Sequence, residues 1–278
     1  MVGAGGTKVE RAGVGHGGDR VPHAMGRRLP VRSGRDASGH PGGDGSAFGK
    51  EGSRRAVTAA MKAASKDQSR EAGVTMTIRY HKGDLPDLLN YGERVAIDTE
   101  TLGLSLTRDR LCVVQLSPGD GSADIVQIAP GQREAPNLVS LLNDNRRIKI
   151  FHYARFDVAF LFKTFGVMTS RVYCTKIASK LTRTYTDRHG LKDLVKDLLD
   201  IDLNKQQQSS DWAAETLSDA QLAYAASDVL YLHALKAELD RRLLRERRAE
   251  LADACFGFVP ARALLDLSGW EEDDIFAH

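Results

Sequence analysis

Cysteine is scarce: Cys112, Cys174 and Cys255 stand far apart in 278 residues and form no CxxC pair. That excludes a disulfide scaffold and a zinc site built on paired thiolates, and it fits a reducing, cytoplasmic compartment. Long hydrophobic runs are absent too. No stretch approaches the ~18 apolar residues that a membrane span needs, and the N-terminus lacks the apolar core of a secretory signal. A membrane is therefore not an expected partner. Charge of one sign is also lacking, at a net +2, but the balance is uneven. Residues 1–75 carry 13 Lys/Arg against 7 Asp/Glu, and the remainder carries 26 against 30. The remainder is net acidic, without the basic track from which enzymes of long nucleic acids gain affinity.

Residues 1–75 hold 16 of the 26 glycines and few large apolar side chains. Such a segment buries too little to offset its ordering entropy, so the expectation is a disordered Gly/Arg-rich extension. Its "GVGHGG" (13–18) matches GxGxxG in form only, since no strand precedes it. Its acids Glu10, Asp19, Asp36 and Asp44 argue against an organelle transit peptide. Patterned chain begins at Met76 and is expected to form one domain over 76–278.

Within that domain, strand-like runs fall at 94–98, 110–117 and 123–128, joined by turn-rich links such as "SPGDGS". A helix is expected at "APNLVSLLND". The buried run "IKIF" (148–151) leads to a helix through "RFDVAFLFKTFG", closed by Gly166. "VYCT" and helices around 175–182 and 189–200 follow. Ser218 and Gln221 have capping-box spacing and open a helix running on through "RRLLRERR". The C-terminal "FGFVPARALLDLSGWEEDDIFAH" is too apolar for a free tail and must pack on its own domain or a neighbour. Three meandering strands followed by alternating helices and strands give an α/β fold: a mixed sheet, antiparallel then parallel, flanked by helices.

In "RVAIDTETLGLS" (94–105) an apolar run ends in Asp98 and Glu100. Residues i and i+2 of a strand share a face, here at the C-terminal end where α/β folds place their sites. Two such charges about 4 Å apart repel by about 4 kcal/mol at an effective dielectric near 20. A divalent cation removes that cost. Taken singly, Asp157 is an acid near a helix N-terminus, and Tyr224 and Asp228 are an i,i+4 pair on a helix face. Taken together, D-x-E, a later Asp and Y-x-x-x-D supply four carboxylates from three elements, enough for two hard cations. The Tyr224 hydroxyl would orient or deprotonate an attacking water.

This order and spacing resemble the DEDD 3′→5′ exonucleases, in the subgroup with tyrosine in the third motif. "FHYARFDVAFLFKTFG", "CTKIAS", "HGLKDLVKDLL" and "YAASDVLYLHAL" resemble ribonuclease D-like members. "VAIDTETLGL", "YTDRHGLKDL" and "KQQQSSDW" are similar to the short type called nano-RNase C. The resemblance implies an RNase H-like fold and a catalytic set of Asp98, Glu100, Asp157, Tyr224 and Asp228, the carboxylates holding two Mg²⁺ or Mn²⁺ ions. It also implies hydrolysis of short RNA, dinucleotides above all, to 5′-mononucleotides, and a ring of eight subunits.

Further substrate contacts are expected from Thr99 within the first motif and from Leu104, which the resemblance casts as a wedge between two bases. His152, Tyr153 and Arg155 stand near the third carboxylate. Lys205, Gln208, Ser210 and Trp212 offer donors and an aromatic for phosphate contact and stacking. Core or solvated-loop roles stay open for Leu104, Trp212 and the glutamines. The alternatives are a broader ribonuclease D-like exonuclease acting on tRNA, structured RNA or DNA, and a non-catalytic nucleic-acid-binding module.

Overall fold

A computed structural model describes residues 76–203 and 210–278. The expected extension 1–75, Lys205 and Gln208 lie outside the described residues. The run "VAI" before Asp98 is fully buried because β2 (Arg94–Thr101) lies inside the sheet. It pairs antiparallel with β3 (Leu111–Ser117), which pairs antiparallel with β4 (Ser122–Gln127). On its other side β2 pairs in parallel with β5 (Ile148–Phe151), which pairs in parallel with β6 (Val172–Cys174). The mixed antiparallel-then-parallel sheet is as the sequence implies.

One strand goes beyond the sequence reading. Residues Thr77–Lys82 form an edge strand, β1, parallel to β4, so the six-stranded order is β1-β4-β3-β2-β5-β6. Polar residues dominate β1, and buried Asp124 on β4 holds it. That carboxylate accepts hydrogen bonds from Arg79 (2.7 and 2.8 Å) and Tyr91 (2.6 Å), and its Oδ1 lies 2.8 Å from His81 Nε2.

Helices cover the sheet: α1 (Pro136–Asn143), α2 (Ala154–Phe165), α3 (Thr175–Thr182) and α4 (Leu191–Leu199). Gly166 ends α2 at φ 70°, a left-handed conformation that glycine adopts without a Cβ penalty. α5 (Asp219–Leu230) starts with the expected capping box of Ser218 and Gln221 and lies across β2, β3 and β4. The single long helix expected here is in fact two. It breaks at Tyr231 and resumes as α6 (Leu232–Arg245). Just before the break, Ser227 Oγ donates to the Tyr224 carbonyl at 2.7 Å, a back-bond that bends helices.

α7 (Ala249–Leu267) takes up much of the apolar C-terminal stretch and packs on α2 and β6. Arg262 donates to the carbonyls of Trp270 (2.6 Å), Glu271 (2.7 Å) and Asp273 (2.9 Å), folding the segment after α7 back along it. α7 therefore packs on its own domain, while residues 268–278 stay exposed. Among the described residues no helix is long and apolar enough to cross a membrane.

Candidate active site

Asp98 and Glu100 leave the end of β2 on one face. Regular pairing with β3 shifts register between Glu100 and Thr101, an irregularity that re-aims side chains at a strand end. Asp228 comes from α5, one turn after Tyr224 on the same helix face. Because α5 crosses the sheet over β2, oxygens of Asp98, Glu100 and Asp228 come within 4.8 Å of one another. Asp157, in the first turn of α2, stands outside that close trio. It is buried, and its Oδ1 accepts a 2.7 Å hydrogen bond from Thr99 Oγ1. Its charge still reaches both Asp98 and Glu100.

A cleft of about 330 Å³ opens over these groups. Thr99, His152, Tyr153, Tyr224, Lys176 and Lys192 share its wall with the three clustered carboxylates. Burial, then the neighbouring carboxylates Asp157, Asp228 and Glu100, push the Asp98 carboxyl well above its ordinary range. Burial, then Asp228 and Asp157, push Glu100 up to about 9. Burial pushes Asp157 up to about 7, against the Thr99 hydrogen bond that lowers it. Among the described residues, what shifts the three is burial, the neighbouring carboxylates and hydrogen-bond donors rather than a cation in contact with them. Buried carboxylates without a cationic partner are costly to fold, and clustered hard oxygen donors are the ligand set of Mg²⁺ or Mn²⁺. The residues thus fit divalent cations.

A carboxyl whose folded pKa exceeds its unfolded value binds its proton more tightly when folded. Its contribution to stability is complete below about pH 4 and is lost as pH rises through the folded values near 7 and 9. The metal-free protein is therefore expected to lose thermal stability from about pH 5 to about pH 9. Saturating Mg²⁺ should raise Tm more at the alkaline end, because it binds the ionised folded form. Calorimetry at fixed ionic strength checks this, and a pH-independent Mg²⁺ effect would contradict it.

The remaining expected residues divide. His152 lines the cleft with its Nδ1 2.9 Å from Thr175 Oγ1, whose own proton goes to the Phe151 carbonyl at 3.1 Å. Nδ1 therefore carries the imidazole proton. Burial, with Lys176 as a lesser cause, pushes the ring down to about 3, so it is neutral with Nε2 as acceptor. Tyr153 caps α2 in the left-handed region (φ 70°), with Lys176 Nζ 4.1 Å from its ring centroid. Strain of that kind at a non-glycine residue gathers at functional sites.

Arg155 does not line the cleft. Its guanidinium forms a two-point pair with Asp266 (both 2.8 Å) and donates to the Glu271 carbonyl, so it ties α2 to the end of α7. Trp212 is 3% exposed and lies in the core, its ring 6.0 Å from that of Tyr224. It supports the tyrosine from behind rather than offering a stacking surface. Ser210 is half-buried outside the cleft wall. Leu104 stands on the loop after β2, 78% exposed, and is not part of the cleft wall.

Three residues in or beside the cleft carry no expectation from the sequence. Gln115, fully buried on β3 opposite Asp98, donates to Asp98 Oδ2 at 3.1 Å. An amide inside the apolar run "LCVVQLS" was its visible signal. Lys176 and Lys192 bring positive charge to the cleft. They lie inside "CTKIAS" and "HGLKDLVKDLL", and nothing local marks them apart from other lysines.

Comparison with known proteins agrees with this geometry. Residues 83–244, more than half of the chain, match the 3′-5′ exonuclease domain family. Ribonuclease D of Gluconacetobacter diazotrophicus is 36% identical over 156 residues, covering 56% of this chain and 39% of that protein. The chain thus matches well under half of that relative's length. Brucella melitensis NrnC with bound Mg²⁺ is 64% identical with a TM-score of 0.71, covering 73% of this chain and all of that one. The same nuclease bound to pGG is 65% identical with a TM-score of 0.72 and the same coverage. The chain belongs to the 3′-5′ exonuclease family, in its ribonuclease D-like branch beside NrnC.

Proposed function

We propose that this protein is a divalent-cation-dependent 3′→5′ exoribonuclease that hydrolyses short RNA, above all dinucleotides, to 5′-mononucleotides. The observation that carries the reading is the meeting of the Asp98, Glu100 and Asp228 carboxylates in one cleft with Tyr224. Asp98, Glu100, Asp157 and Asp228 would hold two ions, Mg²⁺ or Mn²⁺, which when bound offset the charge on the attacking and leaving oxygens of an in-line displacement. The chain's own groups do the rest. Gln115 and Thr99 fix the rotamers of Asp98 and Asp157. Lys176 and Lys192 supply charge for substrate phosphates. Neutral His152 accepts a hydrogen bond at Nε2, a partner suited to a ribose hydroxyl. The Tyr224 phenol holds the attacking water in line.

The bound Mg²⁺ and pGG in the Brucella melitensis relative support the cation and the short substrate respectively. The exposed Leu104, on the loop leaving the cleft, supports a wedge between two bases. Exposed apolar side chains at the C-terminus, Trp270, Ile275 and Phe276 among them, support assembly through that end into an octamer. Three free cysteines support a cytoplasmic setting.

Cleavage of 5′-labelled RNAs from dinucleotide to decanucleotide, with the enzyme sized by light scattering, tests the reading. The dinucleotide should be preferred. Leu104→Ala should reduce that preference about tenfold, about what a leucine side chain gains by burying its apolar surface against bases. Equal or faster trimming of the decamer would replace this reading with broader ribonuclease D-like processing of tRNA, structured RNA or DNA. No cleavage at any length would leave a nucleic-acid-binding module, and a monomer would refute the ring.

A further inference from the structure

An apolar side chain 78% exposed on a loop is ordinarily free to move. The loop carrying Leu104 is tied down almost residue by residue. Thr101 Oγ1 donates to the Gly103 carbonyl at 2.6 Å, and the Leu102 amide donates to the Arg110 carbonyl at 3.0 Å. The Ser105 amide donates to Asp109 Oδ2 and the Asp109 amide returns to the Ser105 carbonyl, both at 2.9 Å. Asp109 is itself buried although it bears a charge, and a Cβ on Gly103 would collide with its carboxylate. Leu106 is buried below as an anchor.

What closes this loop onto the domain is one cation from another element. Lys163, in the last turn of α2, donates from Nζ to the carbonyls of Leu106 (2.6 Å) and Asp109 (2.7 Å) and approaches that of Thr107 (3.4 Å). An ammonium has three protons in tetrahedral array, and these acceptors take them up. Its helix is the one that carries Asp157, which accepts from Thr99 of the cleft wall. The loop begins at Thr101, directly after Glu100. Lys163 thus ties the loop that carries Leu104 to the helix that carries Asp157.

We infer that Lys163 is a positioning residue for substrate length: by holding the 105–109 turn it fixes Leu104 as a rigid stop on the loop that follows Glu100, without touching substrate itself. The inference rests on the wedge reading of Leu104 above. A leucine free to swing would surrender the preorganisation that makes a wedge selective. Held leucine separates a substrate with one base on each side from a longer strand that needs continuous stacking. Lys163 is not among the described residues of the cleft wall, so its effect should fall on length discrimination.

The test measures kcat/KM on dinucleotide and hexanucleotide RNA for the full chain and for Lys163→Met, Lys163→Arg, Gly103→Ala and Leu104→Ala. Amide hydrogen exchange over 102–109 is followed in each. Expected for Lys163→Met are exchange faster by about tenfold or more and a dinucleotide-to-hexanucleotide ratio falling toward that of Leu104→Ala. Gly103→Ala should shift both readouts the same way by a second route, and Lys163→Arg should restore both in part. A Leu104→Ala variant with an altered ratio beside a Lys163→Met variant with wild-type ratio and exchange overturns this inference alone. An unaltered ratio in Leu104→Ala removes the wedge reading and the inference with it.

Discussion

Asp98→Asn should lower dinucleotide cleavage by about 10³-fold or more and, in the metal-free protein, raise thermal stability. The two effects have one cause. Asp98 is buried among Asp157, Asp228 and Glu100, and each of those charges works against its ionisation. A neutral amide removes the repulsion and the desolvation cost together, so the metal-free fold should gain about 1 kcal/mol or more, within the range of single stabilising changes. The same amide is a poor ligand for a hard cation. Loss of about 4 kcal/mol of transition-state stabilisation corresponds to a factor near 10³. The contrast separates this site from a structural acidic cluster. If Asp98 served only the fold through its bond with Gln115, the variant would be less stable and active in proportion to its folded fraction. Calorimetry without and with saturating Mg²⁺ reads the difference directly. Wild type should gain more from Mg²⁺ than the variant, and equal gains would argue against Asp98 as a ligand.

The parts of this site that could be read beforehand are those whose geometry is local. Asp98 and Glu100 share a face because a strand alternates, and Tyr224 and Asp228 share one because a helix turns every 3.6 residues or so. The capping box at Ser218 and the glycine stop at Gly166 are local chemistry too, and both stand in the structure. Choices made across the chain were not legible. Arg155 sits beside the third carboxylate in sequence, yet its guanidinium goes to Asp266, 111 positions away. Trp212 could have been platform or core, and only the packing against Tyr224 decides. β1 shows little apolar pattern. Its place follows from a buried aspartate on β4 that collects Arg79, His81 and Tyr91. Lys176 and Lys192 are ordinary lysines until α3 and α4 bring them to one cleft. Family resemblance supplied what local rules could not, namely the expectation that the four carboxylates and Tyr224 act as one set.

Tyr224→Phe is the second change expected to have a large effect, and its form matters more than its size. The ring is half-buried against Trp212, so phenylalanine keeps the packing and removes only the hydroxyl. Burial, then Asp228, Glu100 and Asp98, push the phenol well above its ordinary value. In the metal-free protein the phenol keeps its proton, and our reading is that Tyr224 orients water rather than acting as the base, which must be free to accept a proton near the working pH. The expected outcome is a fall in kcat of about 10²-fold with KM and Mg²⁺ dependence little changed, the signature of an interaction made in the transition state. The pH profile decides the role. Loss of an orienting phenol lowers the rate equally at every pH, so the two log-rate curves run parallel. A phenol acting as base would give wild type a rising alkaline limb that the phenylalanine variant lacks, and that result would reverse the assignment. Low rates with a raised KM would instead mean that the hydroxyl holds substrate, placing Tyr224 with Lys176 and Lys192 among the proposed binding groups.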